Sequence, residues 1–237
     1  MRNVSLAILV ASCALVGVFT SASPALTSVK SVPLTATGIP LDAPWKITIY
    51  HLATTKFKHP AWGWQHSERN YRVALRLAKG DHLKVDTDVL FAASFLHDMA
   101  AFPPYQKKGE HGVVAAGESV AVLRAAGFPM SKIAAVQAAE RGHMYYSDAG
   151  TRPEAIVLHD ADSLDFLGTI GEARMISLTG ESGASFRSGV VALRSFLRDI
   201  PPRLITKTAK SIGAQRAAEL KRDLDELQSE TFNGTAM

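Results

Sequence analysis

The stretch VLFAASFLHD, residues 89–98, ends an uncharged apolar run with a histidine and an aspartate side by side. An imidazole and a carboxylate are costly to bury unless they are paired or bound to a metal. Both groups are also good ligands for a divalent cation. The stretch therefore predicts a buried helix that carries His97 and Asp98 into the interior as candidate metal ligands.

Two more candidate ligands lie far from this stretch along the chain, His66 upstream and Asp162 downstream. Each stands in a helix-like context, where residues three apart share a face, as Asp162 and Asp165 do. Taken alone, His66 is better explained as a surface or satisfied histidine, and Asp162 as an exposed helix residue. The four residues together, drawn from three helices, predict a site that fixes a divalent cation and leaves room for water.

The composition is that of one globular domain. The 237 residues are 47% hydrophobic and 20% charged, which is enough for a substantial core. The net charge of +4 suits a small phosphorylated substrate. Without a concentrated stripe of Lys and Arg, this charge gives no strong signal for nucleic acid.

The N-terminus has the pattern of a secretory signal peptide over residues 1–22. Met1-Arg2 supplies a positive start, Leu6 to Phe19 is nearly all apolar, and small residues precede a cleavage point near Ala22. This pattern predicts export to the periplasm or outside the cell, with no membrane span after cleavage. An uncleaved anchor and lipidation at Cys13 are the alternatives. Cleavage would leave a mature chain without cysteine, so disulfides are not expected.

The remaining chain predicts an all-α domain over residues 46–237. Residues 23–45 are rich in Ser, Thr and Pro and predict a linker or an extended surface arm, with Trp45 to Tyr50 as a short extended segment. Apolar residues then recur at helical spacing between Gly and Pro stops, which predicts a bundle of about seven helices. The predicted helices lie near residues 66–80, 86–96, 111–126, 131–143, 153–165, 186–199 and 207–230.

These motifs together resemble the HD-domain superfamily of metal-dependent phosphohydrolases, in which a His, a His-Asp pair and a distant Asp lie on separate helices. The nearest likeness is to the compact bacterial HD hydrolases related to nucleotide pyrophosphohydrolases. It covers roughly residues 60–230. The matching segments are HSER (66–69), FLHD (95–98), DADSLD (160–165), LGTIGEAR (167–174) and the stretch 205–216.

The resemblance implies His66, His97, Asp98 and Asp162 as ligands of a divalent metal ion (Mn, Mg, Zn, Ni or Fe), with one ion expected rather than two. Asp160 is the rival of Asp162. Two positions depart from the family pattern. Asn70 stands where the family usually has Val, and Ser163 stands where it usually has Arg, which removes a possible phosphate contact.

A second group of residues is expected around the metal. His111 and His143 stand where some family members place further active-site histidines, and they would bind either a second metal, a phosphate or the attacking water. Glu140, one helical turn before His143, is a candidate base or orienting group. The candidate phosphate contacts are Lys107, Lys108 and Arg141, although a solvated basic loop explains the two lysines equally well.

The function implied is hydrolysis of a phosphate ester or phosphoanhydride, with a nucleotide among the candidate substrates, by a metal-activated water. Asp98 and His143 would act in catalysis beside Glu140. Two alternatives stay open. The same helices could carry a di-iron oxygenase with six His and Asp ligands, or the chain could be a non-catalytic exported domain that binds a metal and a partner.

Overall fold

The structure, a computed structural model, describes residues 31–237, and in this part of the chain it contains nine α-helices and no β-strand. The predicted all-α class is confirmed. None of the described helices is long and apolar enough to cross a membrane. The predicted signal peptide, with Cys13, lies outside the described residues. The helices are α1 (Pro44–Lys56), α2 (Trp64–Gly80), α3 (Thr87–Leu96), α4 (His111–Ala126), α5 (Ile133–Gly142), α6 (Pro153–Leu164), α7 (Gly168–Ser182), α8 (Phe186–Asp199) and α9 (Lys207–Glu230).

Helix α3 is the centre of the bundle. Every residue from Val89 to Leu96 is buried, and the helix packs against α1, α2, α5 and α6. Asp86 caps its N-terminus, because the side chain accepts hydrogen bonds from the backbone N–H groups of Asp88 and Val89. The apolar run therefore forms an interior helix, as predicted. Its C-terminal end carries the buried His97 and the partly buried Asp98.

Helix α1 corrects the prediction of an extended segment from Trp45 to Tyr50. β-Branched residues such as Ile47 and Ile49 lower helix propensity, which explains the wrong prediction. Pro44 suits the first helical turn, and Trp45, Ile49 and Ala53 form a buried stripe at four-residue spacing. Burial of this stripe outweighs the weak local propensity. The irregular arm therefore ends at Ala43 rather than at residue 45.

The arm before α1 lies on α2. Thr37 donates two hydrogen bonds to the Glu68 carboxylate, from its backbone N–H and its hydroxyl, each 3.3 Å long. The hydroxyl of Thr37 also accepts from Arg72 at 2.8 Å. Leu34 and Pro40 form an isolated antiparallel bridge within the arm. The arm is thus tied by polar contacts to the helix that carries His66.

Helix α7 is the second helix missing from the sequence prediction. It begins at Gly168, whose φ of 67° is a left-handed conformation that favours glycine. Its three glycines weaken the helical signal, and its apolar face is narrow because α7 packs mainly on α8 and α9. The helix matters for the site because it carries the buried Arg174.

Candidate metal centre

The structure brings His66, His97, Asp98 and Asp162 together at the centre of the bundle. His66 comes from α2, His97 and Asp98 follow α3, and Asp162 lies in α6. The Nε2 atom of His66 lies 3.0 Å from Oδ1 of Asp162, 3.3 Å from Nε2 of His97 and 3.4 Å from Oδ2 of Asp98. The Nε2 atom of His97 lies 3.3 Å from Oδ2 of Asp98 and 3.9 Å from Oδ1 of Asp162. Two imidazoles and two carboxylates therefore face one point.

The imidazole rings are oriented by acceptors on their outer side. Nδ1 of His66 lies 2.6 Å from Oδ2 of Asp165, and Nδ1 of His97 lies 2.8 Å from the carbonyl oxygen of Ser94. Because these acceptors need a donor, we assign the ring protons to Nδ1. The Nε2 atoms are then directed at the shared point. A histidine held in this way by a carboxylate or carbonyl is the usual arrangement of a metal ligand.

His143 follows the same rule, and its inner nitrogen has no partner. Its Nδ1 donates to the carbonyl oxygen of Glu140 at 2.6 Å, while the buried Nε2 makes no hydrogen bond in the described residues. A buried nitrogen without a partner costs free energy unless something occupies the space beside it. This orphaned atom, together with the convergent imidazoles and carboxylates, fits a site for a divalent cation and its bound water.

The electrostatics of the centre favour positive charge. Burial would raise the pKa of Asp98, but His97, His111 and His66 outweigh it and hold that pKa well below the usual range. Burial and Arg174 lower the pKa of His66, yet hydrogen bonds to Asp162, Asp165 and Asp98 raise it to about 10. The carboxylates thus favour a positive charge beside Nε2 of His66. Either a proton on Nε2 or a bound metal ion provides that charge.

The environment of His143 has the opposite effect. Burial and the neighbouring His97 lower the pKa of His143 to about 4. His143 is therefore neutral near pH 7 and offers a free lone pair at Nε2. The pKa of His111 is raised, because its contacts with Asp98 outweigh the effect of its burial.

A second group of ligand atoms shares Asp98 with the first. Nε2 of His111 lies 2.9 Å from Oδ1 of Asp98, and Nε2 of His143 lies 3.8 Å from the same oxygen. The ligand atoms of this group lie within 4.8 Å of one another, as do those of His66, His97 and Asp98. Asp98 uses a different oxygen toward each group, so the arrangement could hold a second cation as well as the first.

Asp160 and Glu140 lie away from the shared point. The Asp160 carboxylate accepts hydrogen bonds from the backbone N–H groups of Ile205 and Thr206 and from the Thr206 hydroxyl, at 2.7–2.9 Å. The Glu140 carboxyl accepts from the Ser119 hydroxyl at 2.7 Å, and burial raises its pKa well above the usual range. Of the two rival aspartates, the structure thus brings Asp162 to the cluster. Glu140 reaches His143 through its backbone carbonyl.

The three predicted phosphate contacts are exposed. Lys107 forms an ion pair with Glu118, and Lys108 and Arg141 make no side-chain hydrogen bond in the described part of the chain. None of the three lines the pocket beside the centre. The basic loop is therefore a solvated surface in this structure, separate from the predicted ligands.

A pocket of about 400 Å³ opens beside the ligands and reaches Asp98, Asp162 and His111. Most of its lining is apolar or aromatic. Besides His111, Arg174 is the one basic side chain in that lining; it donates to the carbonyl oxygens of Ala61 at 2.6 Å and Asp165 at 3.0 Å. The remaining lining residues are Trp62, Ala101, Met144, Phe166, Met175, Leu178, Ala192 and Phe196.

Several residues of the site were not predicted from the sequence. Asp165 shares a face of α6 with Asp162, and this spacing was the available signal for its role beside His66. Arg174 and Ser94 gave no such signal. A buried arginine in a glycine-rich helix, or a carbonyl group that holds an imidazole, depends on tertiary contacts that no local pattern encodes.

Comparisons with known proteins agree with this geometry. The family model of the HD domain matches residues 63–167, a segment that contains all four predicted ligands. A Lactobacillus plantarum protein is 23% identical with a TM-score of 0.61, covering 84% of this chain and 98% of that chain. Bacillus subtilis YpgQ in complex with ADP is 19% identical with a TM-score of 0.63, covering 78% and 97%. A Bacillus thuringiensis HD-superfamily hydrolase is 19% identical with a TM-score of 0.57, covering 78% and 94%. No curated protein matches the chain.

Proposed function

We propose that the chain, whose residues 63–167 match the family model of the HD domain, is a metal-dependent phosphohydrolase acting on a phosphate ester or phosphoanhydride. The observation that carries this proposal is the convergence of His66, His97, Asp98 and Asp162 beside an open pocket. Imidazole and carboxylate ligands with an open side are typical of a catalytic rather than a closed structural metal site.

The residues around the pocket support a hydrolytic mechanism. A divalent cation bound by the four ligands would lower the pKa of water and polarise a phosphoryl oxygen. His143, whose buried Nε2 is unpartnered, accepts the proton of the attacking water. The water oxygen forms a bond to phosphorus as the bond to the leaving oxygen breaks. His111, which holds a proton against Asp98 and lines the pocket, gives that proton to the leaving oxygen.

The pocket lining favours a substrate with an aromatic or apolar part. Trp62 and Phe166 offer ring surfaces, while the lone guanidinium of Arg174 already donates to two carbonyl oxygens. A nucleotide fits this description, since its base is aromatic. The likeness in fold to YpgQ, which was solved in complex with ADP, supports the same choice.

The N-terminal sequence supports export as part of this proposal. The apolar stretch from Leu6 to Phe19 follows a positive start, which is the pattern of a signal peptide. The enzyme would then act on phosphorylated compounds in the periplasm or outside the cell. Expression of the full chain followed by cell fractionation and N-terminal sequencing tests this. Retention in the cytoplasm with residues 1–22 intact would contradict it.

The enzymatic proposal is tested by phosphate release. The purified protein is assayed with Mn²⁺ against a panel of nucleotides and phosphomonoesters, next to His97→Ala and to the matched control His51→Ala. His51 is exposed on α1, outside the site. We expect activity in the wild type and in His51→Ala and a loss of at least about a thousandfold in His97→Ala. Equal activity in all three proteins would overturn the proposal.

The two ligand groups that share Asp98 favour a second candidate, a di-iron oxygenase. His66, His97, Asp98, His111, His143 and Asp162 together could hold two ions. Two irons for each chain and an oxygen-dependent reaction would identify this function. Hydrolysis in the absence of oxygen with one divalent cation for each chain would exclude it.

A further inference from the structure

Asn70 is a polar side chain inside the metal centre that the proposed mechanism leaves unused. It lies one turn after His66 on α2 and is fully buried. Its amide nitrogen is placed 3.1 Å from Nε2 of His66 and 3.2 Å from Oδ1 of Asp162. Its amide oxygen, Oδ1, is buried without a hydrogen-bond partner. The amide thus contacts two predicted ligands, while its oxygen accepts no hydrogen bond.

In this structure the amide nitrogen of Asn70 donates to the Asp162 carboxylate and faces Nε2 of His66. The oxygen and nitrogen of a carboxamide have nearly the same shape and exchange places by a rotation about one bond. In the orientation of this structure, the oxygen end of the Asn70 amide has no partner. Without a cation, the nitrogen belongs beside the Asp162 carboxylate, because an amide oxygen there would face a carboxylate oxygen. With a cation between these ligands, the oxygen belongs there, because a metal ion attracts the carbonyl end of the dipole.

The spacing around the Asn70 amide meets the geometry of a metal ligand as well as that of a hydrogen bond. Neighbouring ligands of an octahedral cation with bonds of about 2.1 Å lie about 3 Å apart. The end of the Asn70 amide meets this spacing with His66 and with Asp162, at 3.1 and 3.2 Å. His66 meets it with Asp162 at 3.0 Å and with His97 at 3.3 Å. The amide therefore lies at ligand spacing from two of the four predicted ligands, His66 and Asp162.

We propose that Asn70 is a fifth protein ligand, which binds the divalent cation through its side-chain oxygen. This inference rests on the proposed metal site. A fifth ligand that is a neutral carbonyl oxygen favours a hard cation of high coordination number, such as Mn²⁺ or Mg²⁺. It disfavours four-coordinate Zn²⁺. Asn70 lies on α2 outside the His and Asp pattern. As a ligand, it would determine which class of metal the site prefers.

The test measures Mn²⁺ binding directly, without an activity assay. Metal-free protein is titrated with Mn²⁺, and free Mn²⁺ is counted by its electron paramagnetic resonance signal. The variants are Asn70→Leu, which keeps the branched shape but has no donor or acceptor, and Asn70→Asp, which keeps an oxygen. The control is Gln65→Leu, which removes an exposed amide from the same helix. Circular dichroism and thermal unfolding in a chelator check that each variant folds.

We expect Asn70→Leu to weaken Mn²⁺ binding by at least about tenfold, while Asn70→Asp binds at least as tightly as the wild type and Gln65→Leu is unchanged. If Asn70→Asp weakens binding as much as Asn70→Leu, then the amide only donates hydrogen bonds, and the proposal is overturned. Unchanged binding in Asn70→Leu would also overturn it. A wild-type protein that binds no Mn²⁺ would overturn the metal site itself. If Asn70→Leu does not fold, the Mn²⁺ affinity of Asn70→Asp alone tests whether residue 70 is a ligand.

Discussion

At the scale of single residues, the centre depends on side chains that hold the ligands as well as on the ligands. Asp165 accepts from Nδ1 of His66 at 2.6 Å and pairs with Arg69 at 2.8 Å and Arg174 at 3.3 Å. Burial would raise the pKa of Asp165, but these cationic partners hold it far below the usual range. Asp165 is therefore charged at any pH at which the protein functions, and it fixes the ring of His66.

Asp165→Asn tests this positioning role. An amide cannot accept from His66 and both arginines as strongly as a carboxylate, so the ring of His66 loses its orientation. We expect Mn²⁺ affinity to fall about 10- to 100-fold. Isothermal titration with Mn²⁺ measures the change, and Asp199→Asn, at an exposed ion pair, is the control. An unchanged dissociation constant in a folded Asp165→Asn protein would show that the carboxylate is dispensable.

The pH dependence of metal binding follows from His66. Because the neighbouring carboxylates raise its pKa to about 10, the metal-free protein carries a proton on His66 near neutral pH. A metal ion must displace that proton, so affinity rises with pH below this pKa, by up to about tenfold for each pH unit. Mn²⁺ titrations between about pH 6.5 and pH 8.5 check the sign. A dissociation constant that does not change over this range would contradict the assignment of His66.

At the scale of helices, the two aspartates of the DAD segment have different roles: one stabilises the packing of α6 and the other faces the metal ligands. Both are buried in α6, but Asp160 bonds to the start of α9 and Asp162 faces the ligands. Residues two apart on a helix point in different directions. The sequence alone could not choose between them with certainty, because the hydrogen bonds of Asp160 come from residues 205 and 206.

Asp160→Asn and Asp162→Asn should therefore behave differently. In Asp160→Asn, an amide group faces backbone donors of Ile205 and Thr206, so we expect the free energy of unfolding to fall by about 2 kcal/mol with little change in Mn²⁺ affinity. In Asp162→Asn, Mn²⁺ affinity falls sharply. Chemical denaturation in a chelator and Mn²⁺ titration measure the two quantities. The same response in both variants would contradict the division of roles.

The helices also show which boundaries can be predicted from local sequence and which cannot. The start of α3 and the end of α4 agree with the helices predicted near residues 86–96 and 111–126, because the cap at Asp86 and the left-handed Gly127 act locally. Helix α1 was mistaken for an extended segment, because the burial of Trp45 and Ile49 depends on neighbours far along the chain. Tertiary burial overrides weak propensity there, and a sequence pattern records only the propensity.

At the scale of the whole molecule, the sequence was enough to predict the all-α fold and the resemblance to the HD-domain superfamily, and both are confirmed. The wall of the pocket could not be predicted. Trp62, Phe166 and Phe196 come from three separate parts of the chain and meet only in the folded bundle. The same holds for the contact of Asn70 with Asp162, which joins α2 to α6. Long-range contacts of this kind have no local pattern.

The most direct test of the central claim is the divalent metal content of the purified protein. Wild type, His97→Ala and His51→Ala are dialysed against Mn²⁺, freed of loose metal and measured by elemental analysis. We predict about one equivalent in the wild type and in His51→Ala, and less than about a tenth of an equivalent in His97→Ala. A wild-type protein that retains no divalent cation, or a His97→Ala protein that retains as much as the wild type, would contradict the account.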